Sequence, residues 1–366
     1  MKRIILHNPA FCAVTEGEKL AEYIPMDASD QSGDILLGKV DRLMPGINGA
    51  FVDVGRARNG FLPLTEDSGS FLGPRLRSGD LPVVQIRKEE KGNKGVFLTR
   101  DIILPGRYVL VMPMNRHIGV SSRIADEEVR ERLKKTGRNI SGDRFGIVLR
   151  NAAENTAESE IMNEADELFR EWQELIKTAE KGVQPGAVLR HGSILEQLKA
   201  DYFAYGIDGT LEVDHLDTGL ARQLKQAAER TVSLPGGGNI VIDRCEAMTV
   251  IDVNTASSTG CCDKPRTILE TNLEACEAIA DQIRLRNLSG IIVIDFIDPA
   301  TETDQSMVTE RLSTCLRADR IKTVIHGWTS LGLMEITRKR TRPSLYDEFY
   351  RPCEACGGLG YILGKK

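Results

Sequence analysis

The stretch MTVIDVN at residues 248–254 decides the fold, together with RTILETNLEACEAIADQIRLRN at 266–287 and GIIVIDFID at 290–298. The two outer segments are near-continuous apolar runs that end in carboxylates, as parallel strands buried on both faces do. The middle segment has the length of a crossover helix and places one apolar stripe at three- and four-residue spacing. Its members are Leu269, Leu273, Cys276, Ala280 and Ile283. The stretch therefore predicts a βαβ unit whose two strands lie side by side.

Asp252 and Asp295 stand at the carboxyl ends of these two predicted strands. Adjacent strands lie about 4.8 Å apart, and ligands of open α/β sheets bind at the carboxyl edge. Two full charges about 5 Å apart repel by about 3 kcal/mol at an effective dielectric constant of about 20. We therefore expect the pair to share a proton or to hold a cation, and oxygen ligands favour Mg²⁺. Asn254 points to the same side of its strand, whereas Asp298 is a weaker candidate because it lies three residues beyond Asp295.

The plainer interpretation is that these aspartates only cap strand ends and form turns, and taken alone the two interpretations stand about even. The rest of the sequence favours a metal site. The runs EAMTVIDVN (246–254) and TNLEACEAIADQIRLRNLSGIIVIDFID (271–298) closely resemble the catalytic part of the ribonuclease E/G family of bacterial endoribonucleases. The resemblance implies that Asp252 and Asp295 hold Mg²⁺ for RNA cleavage and that Asn254 supports them.

Length and composition agree with a globular protein of two or three domains: 366 residues with a net charge of −5. That charge argues against a protein that coats nucleic acid nonspecifically. The amino-terminal run is too short for a secretory signal, and no segment has the about 20 apolar residues of a membrane span. The eight cysteines are too sparse for a disulfide scaffold. We therefore expect a cytoplasmic protein whose cysteines are free thiols or metal ligands.

Residues 34–104 contain five short runs typical of strands, bounded by glycine, proline and asparagine, and they fit a small OB-type barrel. Such barrels bind single strands through aromatic side chains and a cationic groove. Phe51 and Phe61 bracket an arginine-containing loop, although strand phenylalanines are more often core residues. The family resemblance favours an RNA-binding role, because its RNA contacts match Phe51, Phe61 and Lys94.

Arg150 and Asn151 follow a predicted strand, where a guanidinium can hold a phosphate, although most such arginines are only solvated. The resemblance assigns this region to sensing of an RNA 5′-monophosphate by an arginine, a threonine and a glycine loop. Those positions hold Arg150, Asn151 and Gly106, so asparagine replaces the threonine.

The most basic run contains Arg338, Lys339, Arg340 and Arg342. Such runs are usually solvated, but next to the predicted metal site we expect this one to track the RNA backbone. Lys322 matches a basic family position near the phosphate path. The glycine run at 234–243 precedes a strand and lacks the lysine of a phosphate loop, so it predicts a hairpin turn and no nucleotide cofactor.

Cys353 and Cys356 form the one CxxC pair, which supplies two of the four ligands of a structural zinc. The alternatives are a redox pair, whose usual sequence context is missing, or a site completed by Cys261 and Cys262, whose adjacency is poor for chelation. The resemblance implies a zinc link that two subunits share, and hence a homodimer. The chain extends only ten residues past Cys356, whereas fuller family members add a domain that pairs dimers into tetramers, which leaves dimer versus higher oligomer open.

With the resemblance, the sequence predicts an α+β multidomain protein in which an OB-fold β-barrel RNA-binding domain precedes an α/β DNase I-like catalytic domain. The expected divisions are a ribonuclease H-like amino-terminal part (1–33), the OB-fold domain (34–104), a 5′-end sensor region (105–183), a shortened ribonuclease H-like remainder (184–245), the catalytic domain (246–350) and a zinc-link tail (351–366).

The expected function is Mg²⁺-dependent endonucleolytic cleavage of single-stranded RNA in ribosomal RNA processing or messenger RNA decay, leaving 5′-phosphate and 3′-hydroxyl ends. One rival is a non-catalytic RNA-binding regulator on the same scaffold, which the intact Asp252, Asn254 and Asp295 disfavour. The other is a different Mg²⁺-dependent phosphoryl-transfer enzyme, which the missing nucleotide-binding loop disfavours.

Overall fold

The structure is a computed structural model of the chain. It describes residues 2–26, 32–64, 75–88, 95–121, 123–124, 126–203, 205–255, 264–351, 353–354 and 356. For Lys88, Lys264, Pro265 and Glu348 only the backbone is described.

The described residues form strands and helices throughout the chain. The strands are β1 (Arg3–Asn8), β2 (Phe11–Glu16), β3 (Lys19–Pro25), β4 (Ile35–Leu37), β5 (Lys39–Met44), β6 (Gly49–Asp53), β7 (Gly60–Pro63), β8 (Val83–Lys88), β9 (Phe97–Thr99), β10 (Leu104–Pro105), β11 (Val109–Met112), β12 (Ile118–Val120), β13 (Gly146–Leu149), β14 (Val188–Arg190), β15 (Gly209–Glu212), β16 (Thr231–Ser233), β17 (Asn239–Arg244), β18 (Met248–Asn254), β19 (Gly290–Asp295), β20 (Thr323–Trp328) and β21 (Met334–Arg338). The helices are α1 (Glu127–Ser141), α2 (Glu158–Glu180), α3 (Ile194–Phe203), α4 (Thr218–Gln226), α5 (Lys264–Leu285), α6 (Glu302–Leu316) and α7 (Leu345–Phe349), with 3₁₀ turns at Pro45–Ile47 and Asn151–Ala153.

The chain divides into two compact units, the first made of Met1–Met26 and Asp208–Lys366 and the second of Asp27–Ile207. A six-stranded sheet in the order β16-β17-β18-β19-β21-β20 dominates the first unit. β18 and β19 are parallel and joined by α5, which confirms the predicted βαβ unit. The stripe of α5 packs with α6 on one face of the sheet, where Cys276, Ala280 and Ile283 are buried.

The opposite face of this sheet is open, which corrects the prediction of strands buried on both faces. Met248 and Ile291 lie opposite each other on β18 and β19, and 37% and 47% of their surfaces are exposed. Val250 and Val293 in the next open row are half-buried. An unbroken apolar run could not reveal this, because these open-face positions are apolar although their side chains are exposed or half-buried.

A four-stranded sheet in the order β15-β1-β2-β3 completes the first unit. β1 pairs in parallel with β15, so the first residues of the chain build a sheet with a segment about 200 positions later. The glycine run forms the turn of the antiparallel β16–β17 hairpin, where the amide of Gly237 donates to the carbonyl of Leu234 at 3.0 Å. This confirms the predicted hairpin turn.

Buried ion pairs connect distant segments of the first unit. Arg338 donates to Asp319 at 2.6 Å, and both side chains are almost fully buried. Arg284 of α5 donates to both carboxylate oxygens of Glu16 at 3.1 and 3.0 Å. Glu22 on β3 accepts from Arg320 and Arg342. These contacts hold the end of β21, attach β2 to α5, and attach β3 to the segments that flank β20 and β21.

The second unit contains a seven-stranded sheet in the order β14-β4-β8-β9-β7-β6-β5. β4 and β5 are separated in sequence only by Gly38, yet they lie near opposite ends of this order. β7 and β9 are parallel and the other pairs are antiparallel. The side chains of Val52, Leu62 and Leu98 form part of one buried core. The five predicted runs all form strands, and the first of them is divided into β4 and β5.

A second sheet of this unit, in the order β10-β11-β13-β12, packs with α1 and α2. The sequence predicts a helix over residues 160–182, and α2 buries Ile161, Ala165, Trp172 and Leu175 on one face, as predicted. Within the described part of the chain, no helix is both long and apolar enough to cross a membrane.

The buried pair of Asp319 and Arg338 gives a stability prediction. Asp319→Asn leaves a buried guanidinium without its countercharge, so we expect the first unit to lose about 3–5 kcal/mol of unfolding free energy. Asp243→Asn, which breaks the exposed pair with Arg230, should cost less than about 1 kcal/mol. Denaturant titration followed by Trp328 fluorescence in a Trp172→Phe background measures both, since these are the two tryptophans. Equal losses of unfolding free energy in Asp319→Asn and Asp243→Asn would contradict a larger contribution from the buried pair.

Glu16 gives a pH prediction for the same unit. Burial raises the pKa of Glu16, but hydrogen bonds and charges from Arg284 and then Arg3 outweigh burial and lower this pKa from 4.5 to about 2. The stabilisation is therefore present above about pH 4.5 and is lost as the pH falls towards 2. We expect Glu16→Gln to lower stability at pH 7 and to flatten the acid limb of the stability profile. If the stability of Glu16→Gln fell with decreasing pH as steeply as that of the wild type, the role of Glu16 would be contradicted.

Candidate active site

Asp252 and Asp295 lie directly opposite each other in the parallel register of β18 and β19. Because paired residues of neighbouring strands point to the same face of a sheet, both side chains project from the open face at the carboxyl edge. Both residues are exposed, whereas Ile251 and Ile294, which precede them, are fully buried. The alternation therefore anchors each strand in the core and presents one carboxylate from each.

The electrostatics of Asp295 show that the neighbouring acids act on this carboxyl group. Burial raises the pKa of Asp295, and the charges of Asp252 and then Asp298 raise it further. The charge of Asp298 therefore acts at the same sheet edge, although its distance from Asp295 in sequence made it the weaker candidate. A carboxyl group whose pKa is raised by neighbouring carboxylates gains stabilisation of its charged form from a bound cation.

Asn254 holds one of the two carboxylates in place. Its Nδ2 donates to Asp252 Oδ2 at 2.8 Å, and it lies opposite Asn239 of β17. The second Nδ2 contact, to Asn239 Oδ1, is 3.5 Å long. The amide therefore orients Asp252 at the site, as the sequence predicts from the spacing of two residues.

The donor set fits a site of the Mg²⁺ type. Mg²⁺ usually takes one or two protein carboxylates and fills its remaining positions with water and substrate phosphate. Two exposed carboxylates on adjacent strands supply that arrangement. Among the described residues, no group of three or more histidine, cysteine, aspartate or glutamate side chains is arranged to hold a metal ion. A cation at this edge would therefore keep positions open for other ligands.

An aromatic strip lies on the outer face of the seven-stranded sheet. Phe51 and Phe61 are opposite each other, with ring centroids 6.1 Å apart, and Phe61 is 5.9 Å from Phe97. All three residues are half-buried and lie outside the core of this sheet, so the core interpretation of Phe51 and Phe61 is wrong. Phe97 was missed from sequence, since only the parallel pairing of β7 and β9 places it there. Lys94 lies outside the described residues.

Arg150 and Gly106 also lie together in the second unit. Arg150 Nη1 donates to the Gly106 carbonyl at 2.9 Å, and Nη2 forms an ion pair with Asp201. Asn151 follows at the start of a 3₁₀ turn, and its buried Oδ1 has no hydrogen-bond partner. Asp201, which reaches Arg150 from α3, could not be predicted from local sequence patterns.

The loop at Gly106 is held by a further carboxylate that the sequence did not reveal. Glu164 of α2 accepts from the amides of Arg107 and Tyr108, each at 2.7 Å, and from the amide of Val109 at 3.2 Å. These three amides are therefore engaged within the protein.

The family model for the ribonuclease E/G family matches residues 103–218 and 216–341. Ribonuclease E of a Nostoc strain is 35% identical over 98% of this chain and 58% of its own length. Ribonuclease G of Escherichia coli K12 is 34% identical over 90% of this chain and 77% of its own length. The chain belongs to the ribonuclease E/G family. It spans 58% and 60% of the lengths of the Nostoc and Synechocystis ribonucleases E.

Lys322 and the basic run of this ribonuclease E/G family member lie away from the paired aspartates. Arg338 pairs with Gly290 and Thr323, at the amino end of β19, whereas Asp295 ends that strand. Five residues at about 3.3 Å each separate the two edges by about 16 Å. The expectation that this run tracks RNA beside the acids is therefore wrong for Arg338 and Arg342, which are engaged in ion pairs. Lys322, Lys339 and Arg340 are exposed.

The CxxC pair follows α7 at the end of the described chain. Cys353 is exposed and Cys356 is half-buried. Cys261 and Cys262, the alternative partners within one chain, lie outside the described residues.

Proposed function

We propose that this member of the ribonuclease E/G family is an endoribonuclease that cleaves single-stranded RNA with the carboxylates of Asp252 and Asp295. The observation that carries the proposal is the register of β18 and β19, which sets the two acids opposite each other on an open sheet face. The relatives named ribonuclease E and ribonuclease G support the same activity.

The cofactor in this proposal is Mg²⁺, with Asp252 and Asp295 as its protein ligands. When bound, the ion offsets charge on the scissile phosphodiester and favours attack by water. Asn254 keeps Asp252 oriented through its 2.8 Å hydrogen bond, and Asp298 adds negative charge at the same edge. In the proposed hydrolysis the water oxygen bonds to phosphorus and the bond to the 3′-oxygen breaks. The products carry a 5′-phosphate and a 3′-hydroxyl.

The seven-stranded sheet would bind the substrate strand as an OB-type barrel. Its order, its parallel β7–β9 pair and the near continuity of β4 with β5 support this proposal. The strip of Phe51, Phe61 and Phe97 offers ring faces and edges on which bases can stack. Lys94 and Lys322 are the proposed phosphate contacts. We propose that the six-stranded sheet belongs to a DNase I-like subdomain. The sheet of β1, β2, β3 and β15 would belong to a ribonuclease H-like subdomain.

We retain Arg150, Asn151 and Gly106 as a proposed 5′-monophosphate site. A phosphate at Arg150 must compete with Asp201, and the neighbouring loop amides already bind Glu164. The unpartnered Oδ1 of Asn151 is an acceptor, so only its amide group could donate to a phosphate. We therefore expect at most a modest preference for monophosphorylated ends.

Cleavage of a short single-stranded RNA, supplied with a 5′-monophosphate or a 5′-hydroxyl, tests the proposed activity. Asp295→Asn removes a ligand charge and should lower kcat/KM at least about 100-fold, because metal ions contribute several kcal/mol to such reactions. Asn254→Ala should cost about 10–100-fold, the usual effect of removing support for a metal ligand. Asp243→Asn, on the same open face, is the matched control and should cleave as the wild type does.

Cleavage that survives Asp295→Asn would remove this mechanism. Wild-type protein that binds the RNA without cutting it would favour the non-catalytic regulator. Equal rates on the two 5′ ends would remove the sensor proposal alone.

We further propose a homodimer in which Cys353 and Cys356 of two chains share one zinc ion. Four thiolates complete the tetrahedral set that a single CxxC pair cannot. Native mass spectrometry should show a dimer carrying one zinc, and Cys353→Ser should release the metal and shift the equilibrium towards monomer. A zinc-free dimer in the wild type would contradict the shared site.

A further inference from the structure

A hairpin tip beside the paired aspartates carries an unusually exposed leucine. Leu331 lies between β20 and β21 and exposes 83% of its surface, the largest fraction among the exposed large hydrophobic residues of the described chain. The next most exposed is Ile47, at 57%. Single exposed apolar residues are common and need no function. A role for Leu331 must therefore be argued from its position and from the structure of its turn.

The turn that presents Leu331 is well ordered by hydrogen bonds. The Thr329 amide donates to the Leu333 carbonyl at 2.7 Å, and the Gly332 amide donates to the Thr329 carbonyl at 3.1 Å. The Thr329 hydroxyl also accepts from the amides of Leu331 and Leu333, at 3.2 and 3.0 Å. Gly332 has a φ of +81°, which glycine adopts without strain. Leu331 is thus held outward by a rigid turn.

The tip lies at the acidic edge of the sheet. β21 begins at Met334, which is paired with Ile294, so the tip follows at the level of Asp295. A Cβ placed on Gly332, the neighbour of Leu331, would lie 3.9 Å from Asp298 Oδ1. The leucine therefore adjoins the site where the proposed function places the phosphodiester.

The apolar side chain of Leu331 favours contact with a base of the RNA over contact with its phosphates. A phosphate gains nothing from an isobutyl group, whereas a nucleobase presents an apolar face that loses water on contact. Asparagine, aspartate, serine and glycine are favoured in such turns, so local preference does not explain leucine here. Residues that break a local preference are expected at functional sites.

We propose that Leu331 packs against a nucleobase flanking the scissile phosphodiester and acts as a positioning residue for the strand. This inference rests on the proposed endoribonuclease activity. It adds an apolar contact on the catalytic unit itself, separate from the phenylalanine strip of the other unit.

The test uses an RNA with one mapped cleavage site and versions in which the nucleotide on either side of that site is abasic. For the wild type, one abasic substitution should lower kcat/KM about five- to tenfold, from loss of a partly buried apolar contact. Leu331→Asn should lower kcat/KM by a similar factor, mainly through KM. For that variant the same abasic RNA should bring less than a further twofold loss. Leu331→Met, which keeps an apolar side chain, should retain most of the activity.

Stability and a matched control separate this role from a structural one. Asparagine is favoured in turns, so Leu331→Asn should leave the unfolding temperature unchanged. Leu211→Thr alters another exposed leucine of the same unit, 52% exposed on β15, and should cleave as the wild type does.

The outcomes distinguish the inference from the activity on which it rests. Suppose that the wild type cleaves and that Leu331→Asn and the abasic nucleotide together lower kcat/KM by the product of their separate factors. Leu331 then does not contact that base. An unchanged KM in Leu331→Asn would overturn the inference equally. A wild type that cuts none of these RNAs refutes the proposed activity itself.

Discussion

The parallel pairing of β18 and β19 brings two like charges together, and the site depends on that constraint. In-register pairing sets Asp252 opposite Asp295, at strand separations of about 4.8 Å. Burial and then the charge of Asp252 raise the pKa of Asp295, so the arrangement is unfavourable for two ionised carboxylates in isolation. The protein tolerates it because both side chains reach solvent on the open face. A divalent cation would turn this repulsion into binding.

The strands keep this register because their other face is buried. Ile251, Ile292 and Ile294 are fully buried in a core with α5 and α6, so a slip of one residue would expose them and bury the aspartates. The buried pair of Arg338 and Asp319 fixes β21, the other neighbour of β19. Arg338 also donates to Asn287 and to the carbonyl of Leu288, in the connection between α5 and β19. The position of Asp295 is thus set by contacts at the far end of its own strand.

Local sequence patterns were sufficient for the elements that carry the candidate site. The apolar runs and the helical stripe predicted β18, α5 and β19, and the two-residue spacing predicted the contact of Asn254 with Asp252. Contacts between distant segments could not be predicted in this way. Glu16 and Arg284 are separated by 268 positions, and no local signal reveals their pairing. The same holds for Asp201 at Arg150, and for Phe97, which joins the aromatic strip only through strand order.

The basic run shows why composition alone misplaces charge. Four cations in five residues suggest a free positive surface, yet Arg338 and Arg342 form ion pairs with the buried acids Asp319 and Glu22. The pairing of β21 with β19 and β20 places Arg338 at the opposite end of β19 from Asp295, and local sequence does not reveal that pairing.

The most direct test of the central claim is an anomalous-scattering map of crystals of this protein soaked in Mn²⁺, an oxygen-seeking substitute for Mg²⁺. The account predicts one peak bridging Asp252 and Asp295 at ordinary metal–oxygen distance, and its loss in Asp295→Asn. A map without a peak at these carboxylates, or with a peak held by only one of them and unaffected by Asp295→Asn, would contradict it.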